Sequence, residues 1–141
     1  MDSERIFLAD DAATAALGAR LAASLAPGDL VLLSGALGAG KTALARAMIR
    51  SLMDDPVLEV PSPSFALVQP YEAAGRSILH ADLYRIGGPR EIDELGVLEA
   101  GDAVVFVEWP ERAPELFGRR HIDVRLSIPA DGRGRVAEIA R

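Results

Sequence analysis

The pattern Gly35-x4-Gly40-Lys41-Thr42 restricts this chain more than any other feature, because of what stands on either side of it. Upstream, LVLLSG (30–35) is a continuous apolar run of the kind found in a strand covered on both faces. Downstream, KTALARAMIRSLM (41–53) sets its aliphatic side chains on one side and its arginines on the other, so it reads as an amphipathic helix. Buried strand, glycine loop and helix, in that order, are the context that gives a P-loop its meaning. Small residues let the backbone close around an anion, successive N–H groups turn inward, and the helix start adds the positive end of its dipole. The expected ligand is a phosphate group. Lys41 is the only lysine, every other basic side chain being arginine. A compact ammonium fits inside such a loop where a forked, planar guanidinium is too bulky. Thr42 would offer its hydroxyl to Mg2+, a hard cation that takes oxygen ligands and bridges phosphates.

The rest of the chain has to complete a sheet around that unit. A length of 141 residues, half of them hydrophobic and 26% charged, predicts one domain spanning 1–141 with an ordinary core. RIFLA (5–9) reads as a short opening strand, and DDAATAALGARLAASLA (10–26) as a helix behind an acidic cap, stopped by Pro27-Gly28-Asp29. FALVQPY (65–71) and RSILHADLY (76–84) read as a hairpin turning at EAAG. PREIDELGVLEAG (89–101) opens with proline and closes with glycine as a helix does, with Gly96 breaking it. AVVFVEW (103–109) is another buried strand. HIDVRLSI (121–128) and GRVAEIA (134–140) alternate polar and apolar residues around a Pro-Ala-Asp-Gly turn, as two antiparallel strands would. The expected fold is a three-layer α/β P-loop NTPase-like domain. Its mixed sheet is parallel near the P-loop and antiparallel towards the C-terminal edge.

Charge and composition exclude several functions. A net charge of −6 repels phosphate backbones on average, which argues against DNA binding driven by charge alone. The run from Arg112 to Arg141 holds seven arginines against four acids and reads as a solvated face of mixed charge. Without cysteine there is no disulfide or thiolate metal site, which fits a reducing cytoplasm. The acidic start is unlike a secretory signal, and no window approaches the roughly 18 apolar residues of a membrane span.

A phosphate loop by itself only binds; hydrolysis needs a further carboxylate near the metal and the attacking water. Asp82 in ILHADLYR and Glu108 in VVFVEW both stand at the ends of apolar strands, where such acids are useful, and Trp109, the only tryptophan, follows Glu108. Between them and the P-loop helix, PSPSF (61–65) offers the hydroxyls of Ser62 and Ser64 on a proline-stiffened loop placed like a switch segment.

In order and spacing, LSGALGAGKT, PSPSFALVQPY, HADLYRI with an acidic segment after it, and VVFVEWPER resemble the TsaE family, bacterial P-loop ATPases that act in making the threonylcarbamoyl modification of adenosine 37 in tRNA. The resemblance covers nearly the whole chain. It implies ATP and Mg2+ as ligands. Lys41 and the backbone of Leu37, Gly38, Ala39 and Gly40 would hold phosphates, Thr42 and Glu108 would serve Mg2+, and Asp82 would be a further catalytic or metal-linked acid. Lys41, Asp82 and Glu108 are thus the candidate catalytic residues. Ser64 stands where the family usually has threonine, which keeps the hydroxyl and loses a methyl, and Ala36 where an acid is frequent. His80, Tyr84 and Arg85 match the HxDxYR segment without a role assigned to each. Thr14 and Arg133 are further candidates beside the nucleotide. The resemblance also implies TsaB and TsaD as partners, with tRNA reached through them, and weak hydrolysis by the single chain if a partner supplies an arginine finger. A small-molecule kinase or a nucleotide-dependent binding switch would use the same loop.

Overall fold

The computed structural model describes residues 3–73, 75–88, 90, 91, 93, 96 and 101–141. Strand β1 (Ser3–Leu8) leads through Asp10 into helix α1 (Asp11–Ala22), whose free amide at Ala13 donates to the Asp10 carboxylate at 2.9 Å. Strand β2 (Leu30–Ser34) then feeds the glycine loop, and helix α2 (Lys41–Leu52) starts directly from it. Strands β3 (Val68–Ala73) and β4 (Arg76–Asp82) form the hairpin. After β5 (Val104–Glu108) come two 3-10 turns, Pro110–Arg112 and Pro114–Gly118, and the chain ends with β6 (Ile122–Ser127) and β7 (Arg135–Ala140).

All seven strands share one sheet in the order β1-β7-β6-β2-β5-β4-β3. β2 lies between β5 and β6 and is parallel to both, and β4 is parallel to β5. The outer pairs are antiparallel: β6 with β7 and β7 with β1 on one side, β4 with β3 on the other. The mixed sheet is therefore the one expected, with an antiparallel pair at the β3 edge as well as at the C-terminal one. Parallel strands in the middle put the C-terminal ends of β2, β4 and β5 side by side, which is where open α/β sheets carry their ligands.

Apolar alternation along β2 and β5 serves two cores. Val31, Leu33, Val104 and Phe106 face a cluster shared with α1 and α2, through Leu17, Leu21, Leu44 and Met48. Leu30, Leu32, Val105 and Val107 face the opposite cluster, closed by Ala113 and Leu116 of the 3-10 segment with Leu83 and Ile86. Both helices lie on one face, and among the described residues short 3-10 turns supply the third layer. α1 sits close on α2 because Gly18 has no side chain: a Cβ there would come within 2.4 Å of the Ala47 Cβ.

Several boundaries differ from the sequence reading. β3 begins at Val68 because Pro63–Leu67 forms a turn, closed by the Leu67 amide on the Pro63 carbonyl at 2.7 Å with Leu67 at φ 68°. β5 stops at Glu108 because Trp109 adopts a left-handed conformation, φ 59°. The helix expected over 89–101 falls mostly outside the described residues. Among the described residues no helix is long and apolar enough to cross a membrane.

Candidate functional site

The loop from Gly35 to Gly40 departs from β2 in a conformation few residues can follow. Gly35 has φ 146°, and a Cβ there would lie 2.4 Å from the Leu126 carbonyl oxygen of β6. Gly40, the residue capping α2, has φ 105°, and a Cβ on it would meet nothing within 4 Å. The space beside Gly40 is open, and its left-handed backbone is what favours glycine there. A helix start without a side-chain cap leaves its first amides available to an anion. Ala39 is fully buried beneath the loop, while Leu37 at its tip is exposed.

Lys41 is almost completely buried, with its Nζ donating to the Gly35 carbonyl at 2.6 Å and the Ala36 carbonyl at 3.0 Å. The same ammonium lies 4.2 Å from the centre of the Trp109 ring, a cation–π contact. Burial pulls its pKa below the usual 10.5, against the opposing attraction of Glu108, Glu111 and Asp82. Trp109 is itself packed on Tyr84, ring centroids 4.8 Å apart.

The strand-end acids converge on the same place. Thr42 Oγ1 donates to Glu108 Oε1 at 2.8 Å, joining the first turn of α2 to the end of β5. Glu108 is buried, and its Oε2 lies 2.6 Å from His80 Nε2. Parallel register puts Asp82 opposite Glu108. Asp82 is also buried; its Oδ1 accepts from the Tyr84 amide at 2.9 Å, and its Oδ2 is 3.4 Å from the hydroxyls of both Ser62 and Ser64. The two serine hydroxyls share a 2.7 Å hydrogen bond. The segment 61–65 thus lies over Asp82, as a switch segment would.

Thr42, Glu108, Asp82 and Ser64 therefore form one oxygen-rich group at the mouth of the loop. Oxygen-only donors of this kind fit Mg2+. Among the described residues no three His, Asp or Glu side chains make a cage, so the protein could supply one or two oxygens and leave the remainder to phosphates and water.

Thr14 joins the site from the other side. A cleft of about 290 Å³ runs along the loop, lined by Asp10, Thr14, Gly38, Gly40, Leu126 and Arg135 among others. Arg133 is exposed on the β6–β7 connection, its amide donating to Asp131. The arginine that reaches the loop from this hairpin is Arg135, whose Nε donates to the Gly38 carbonyl at 3.0 Å. Sequence reading overlooked it because Arg133 and Arg135 both stand at alternate positions of GRGRV; only the pairing of Arg135 with Leu8 of β1 tells which is near the cleft.

A strand-loop-helix phosphate cradle with a buried lysine, a helix-start threonine and a strand-end acid defines a P-loop nucleotide-binding protein. Residues 8–136 match the family described as threonylcarbamoyl adenosine biosynthesis protein TsaE. Relatives carrying the name tRNA threonylcarbamoyladenosine biosynthesis protein TsaE include one from Rickettsia felis, 39% identical over 87% of this chain and 72% of its own length. Another, from Rickettsia conorii, is 42% identical over 80% of this chain and 65% of its own length. The crystal structure of Bacillus subtilis YdiB superposes with a TM-score of 0.77 at 24% identity, covering 99% of this chain and 86% of that one, a likeness of fold. The chain belongs to the TsaE family.

Proposed function

We propose that this protein binds and hydrolyses ATP with Mg2+ as an accessory in forming the threonylcarbamoyl modification of adenosine 37 in tRNA, working with TsaB and TsaD. The observation that carries the hydrolytic part is the bond from Thr42 to Glu108. It holds a strand-end carboxylate against the one hydroxyl that a P-loop directs at the metal. Family membership carries the pathway.

In this reading the loop amides and Lys41 bind the phosphates. Phosphate oxygens replace the Gly35 and Ala36 carbonyls as acceptors for the Lys41 ammonium, stabilising charge that grows on the transferred group. Mg2+, when bound at Thr42 and Glu108, would neutralise further phosphate charge. Asp82 orients the attacking water or accepts its proton, and Ser62 and Ser64 link that carboxylate to the 61–65 loop. On this proposal the products are ADP and free phosphate, and the useful output is a change at the surface facing TsaB and TsaD.

ATPase activity measured with and without the TsaB–TsaD pair tests this. The single chain should be slow and the assembly markedly faster; equal rates would remove partner activation. Lys41→Ala should abolish turnover in both. Label from the γ-phosphate appearing on a metabolite instead of as free phosphate would favour a kinase.

A further inference from the structure

We infer that His80 is a positioning residue that fixes the Glu108 carboxylate towards Thr42; this rests on the reading of Glu108 as a metal-linked acid. His80 lies in β4, fully buried, and reaches the neighbouring strand-end acid with Nε2 2.6 Å from Oε2. The other carboxylate oxygen accepts from Thr42 at 2.8 Å. Glu108 is thereby held at two points on two elements, the first turn of α2 and strand β4. Towards a carboxylate oxygen that accepts, Nε2 is the donor of this bond.

Fixing both oxygens sets the plane of the carboxylate. Without the imidazole, Oε2 would be buried with no donor, and rotation about the last bond of the side chain would carry Oε1 away from Thr42. Packing alone does not account for histidine here. Among the described residues its Nδ1 is buried without a hydrogen-bond partner, and an unpaired buried polar atom is costly, whereas an apolar side chain of similar size would avoid that penalty. The value of the imidazole lies in its Nε2. Groups that orient a ligating carboxylate from behind change metal affinity by about 10- to 100-fold when removed.

Calorimetric titration of the full chain with ADP, in the presence and absence of Mg2+, tests this on His80→Leu, His80→Gln and Glu108→Gln. His80→Leu should lose about 10- to 100-fold of the tightening that Mg2+ gives, with metal-free ADP affinity within about twofold of wild type. His80→Gln, whose amide can donate in place of Nε2, should recover most of the loss. Adding His80→Leu to Glu108→Gln should bring no further loss, as expected for residues acting through one another. A purely structural role would weaken binding with and without Mg2+, and glutamine would rescue no better than leucine. If His80→Leu does not fold, His80→Asn replaces it: the shorter amide cannot span to Glu108, so asparagine must show the loss that glutamine does not. Glu108→Gln losing the Mg2+ effect while the leucine and asparagine variants keep it would overturn the role of His80 alone. Glu108→Gln keeping the Mg2+ effect would overturn the metal-site reading beneath it.

Discussion

Lys41 is almost completely buried, and burying an ammonium costs stability that its hydrogen bonds offset only in part if desolvation dominates. Burial lowers its pKa below 10.5, so at neutral pH the folded chain carries an ammonium that water would solvate better. The sign follows from proton binding. Between the folded pKa and 10.5 the unfolded chain holds the proton that the folded chain has lost, so this residue's contribution to stability rises with pH across that window. Lys41→Met keeps the length, removes the charge and should raise the melting temperature of the nucleotide-free protein at pH 7 while removing phosphate binding. It should also abolish the rise in stability with pH below 10.5. Thermal denaturation between pH 7 and 10 checks both, and a lower melting temperature for the variant would mean that the bonds to the Gly35 and Ala36 carbonyls outweigh desolvation. The chemistry of Lys41 and Thr42 is readable from the sequence because one local motif contains it. Thr42 with Glu108, 66 residues apart, is readable only as two candidates that β2 and β5 bring together. Arg135 is unreadable, since two arginines stand at equivalent alternating positions and only strand pairing separates them.

At the scale of elements, local pattern predicts the strands and both helices well where each carries its own period, as in α2 with Leu44, Ala45, Met48, Ile49 and Leu52 buried. It predicts poorly where backbone conformation ends an element, at Leu67 and Trp109, because a left-handed residue has no hydrophobic signature. Nor does amphipathicity reveal that α1 and α2 share one face of the sheet. Their close approach depends on Gly18, the helix position where a Cβ would meet Ala47 at 2.4 Å. Gly18→Ala sets two effects against each other: helix propensity gains about 1 kcal/mol, and overpacking a tight contact costs about 1–3 kcal/mol. Backbone atoms of Ala47 and Met48 also lie at 3.1 and 3.2 Å from that Cβ, so a rotamer change cannot relieve the contact and the loss should win. We expect a net destabilisation of up to about 2 kcal/mol in urea unfolding. A stabilised variant would show that α1 can slide on α2 without cost. Since Thr14 of α1 lines the cleft along the loop, the same substitution should weaken nucleotide binding more than Mg2+ dependence.

For the whole molecule, the arrangement of strands decides how ligand binding and unfolding are coupled. The site draws on the ends of β2, β4 and β5 in the parallel centre of the sheet, with the start of α2 and the 61–65 loop bonded to their acids. β1 and β7 pair with each other beyond β6 and so belong to the same sheet that carries the loop. Among the described residues, Leu8 of β1 and Ala137 and Ile139 of β7 pack in the same core as β2, β5 and α2, so the edge strands and the candidate site are expected to melt together. Nucleotide with Mg2+ should therefore stabilise the fold as one unit. At a free concentration 100 times its dissociation constant, a ligand bound only by the folded state adds about 2.7 kcal/mol, which for a chain of this size raises the melting temperature by about 10 °C. Scanning calorimetry of the full chain with ADP and Mg2+ should show a single transition moved up by that amount. Glu108→Gln should keep the part of the shift seen with ADP alone and lose the increment due to Mg2+. A two-step transition, with the lower step insensitive to ligand, would mean that the antiparallel edge unfolds independently of the nucleotide site.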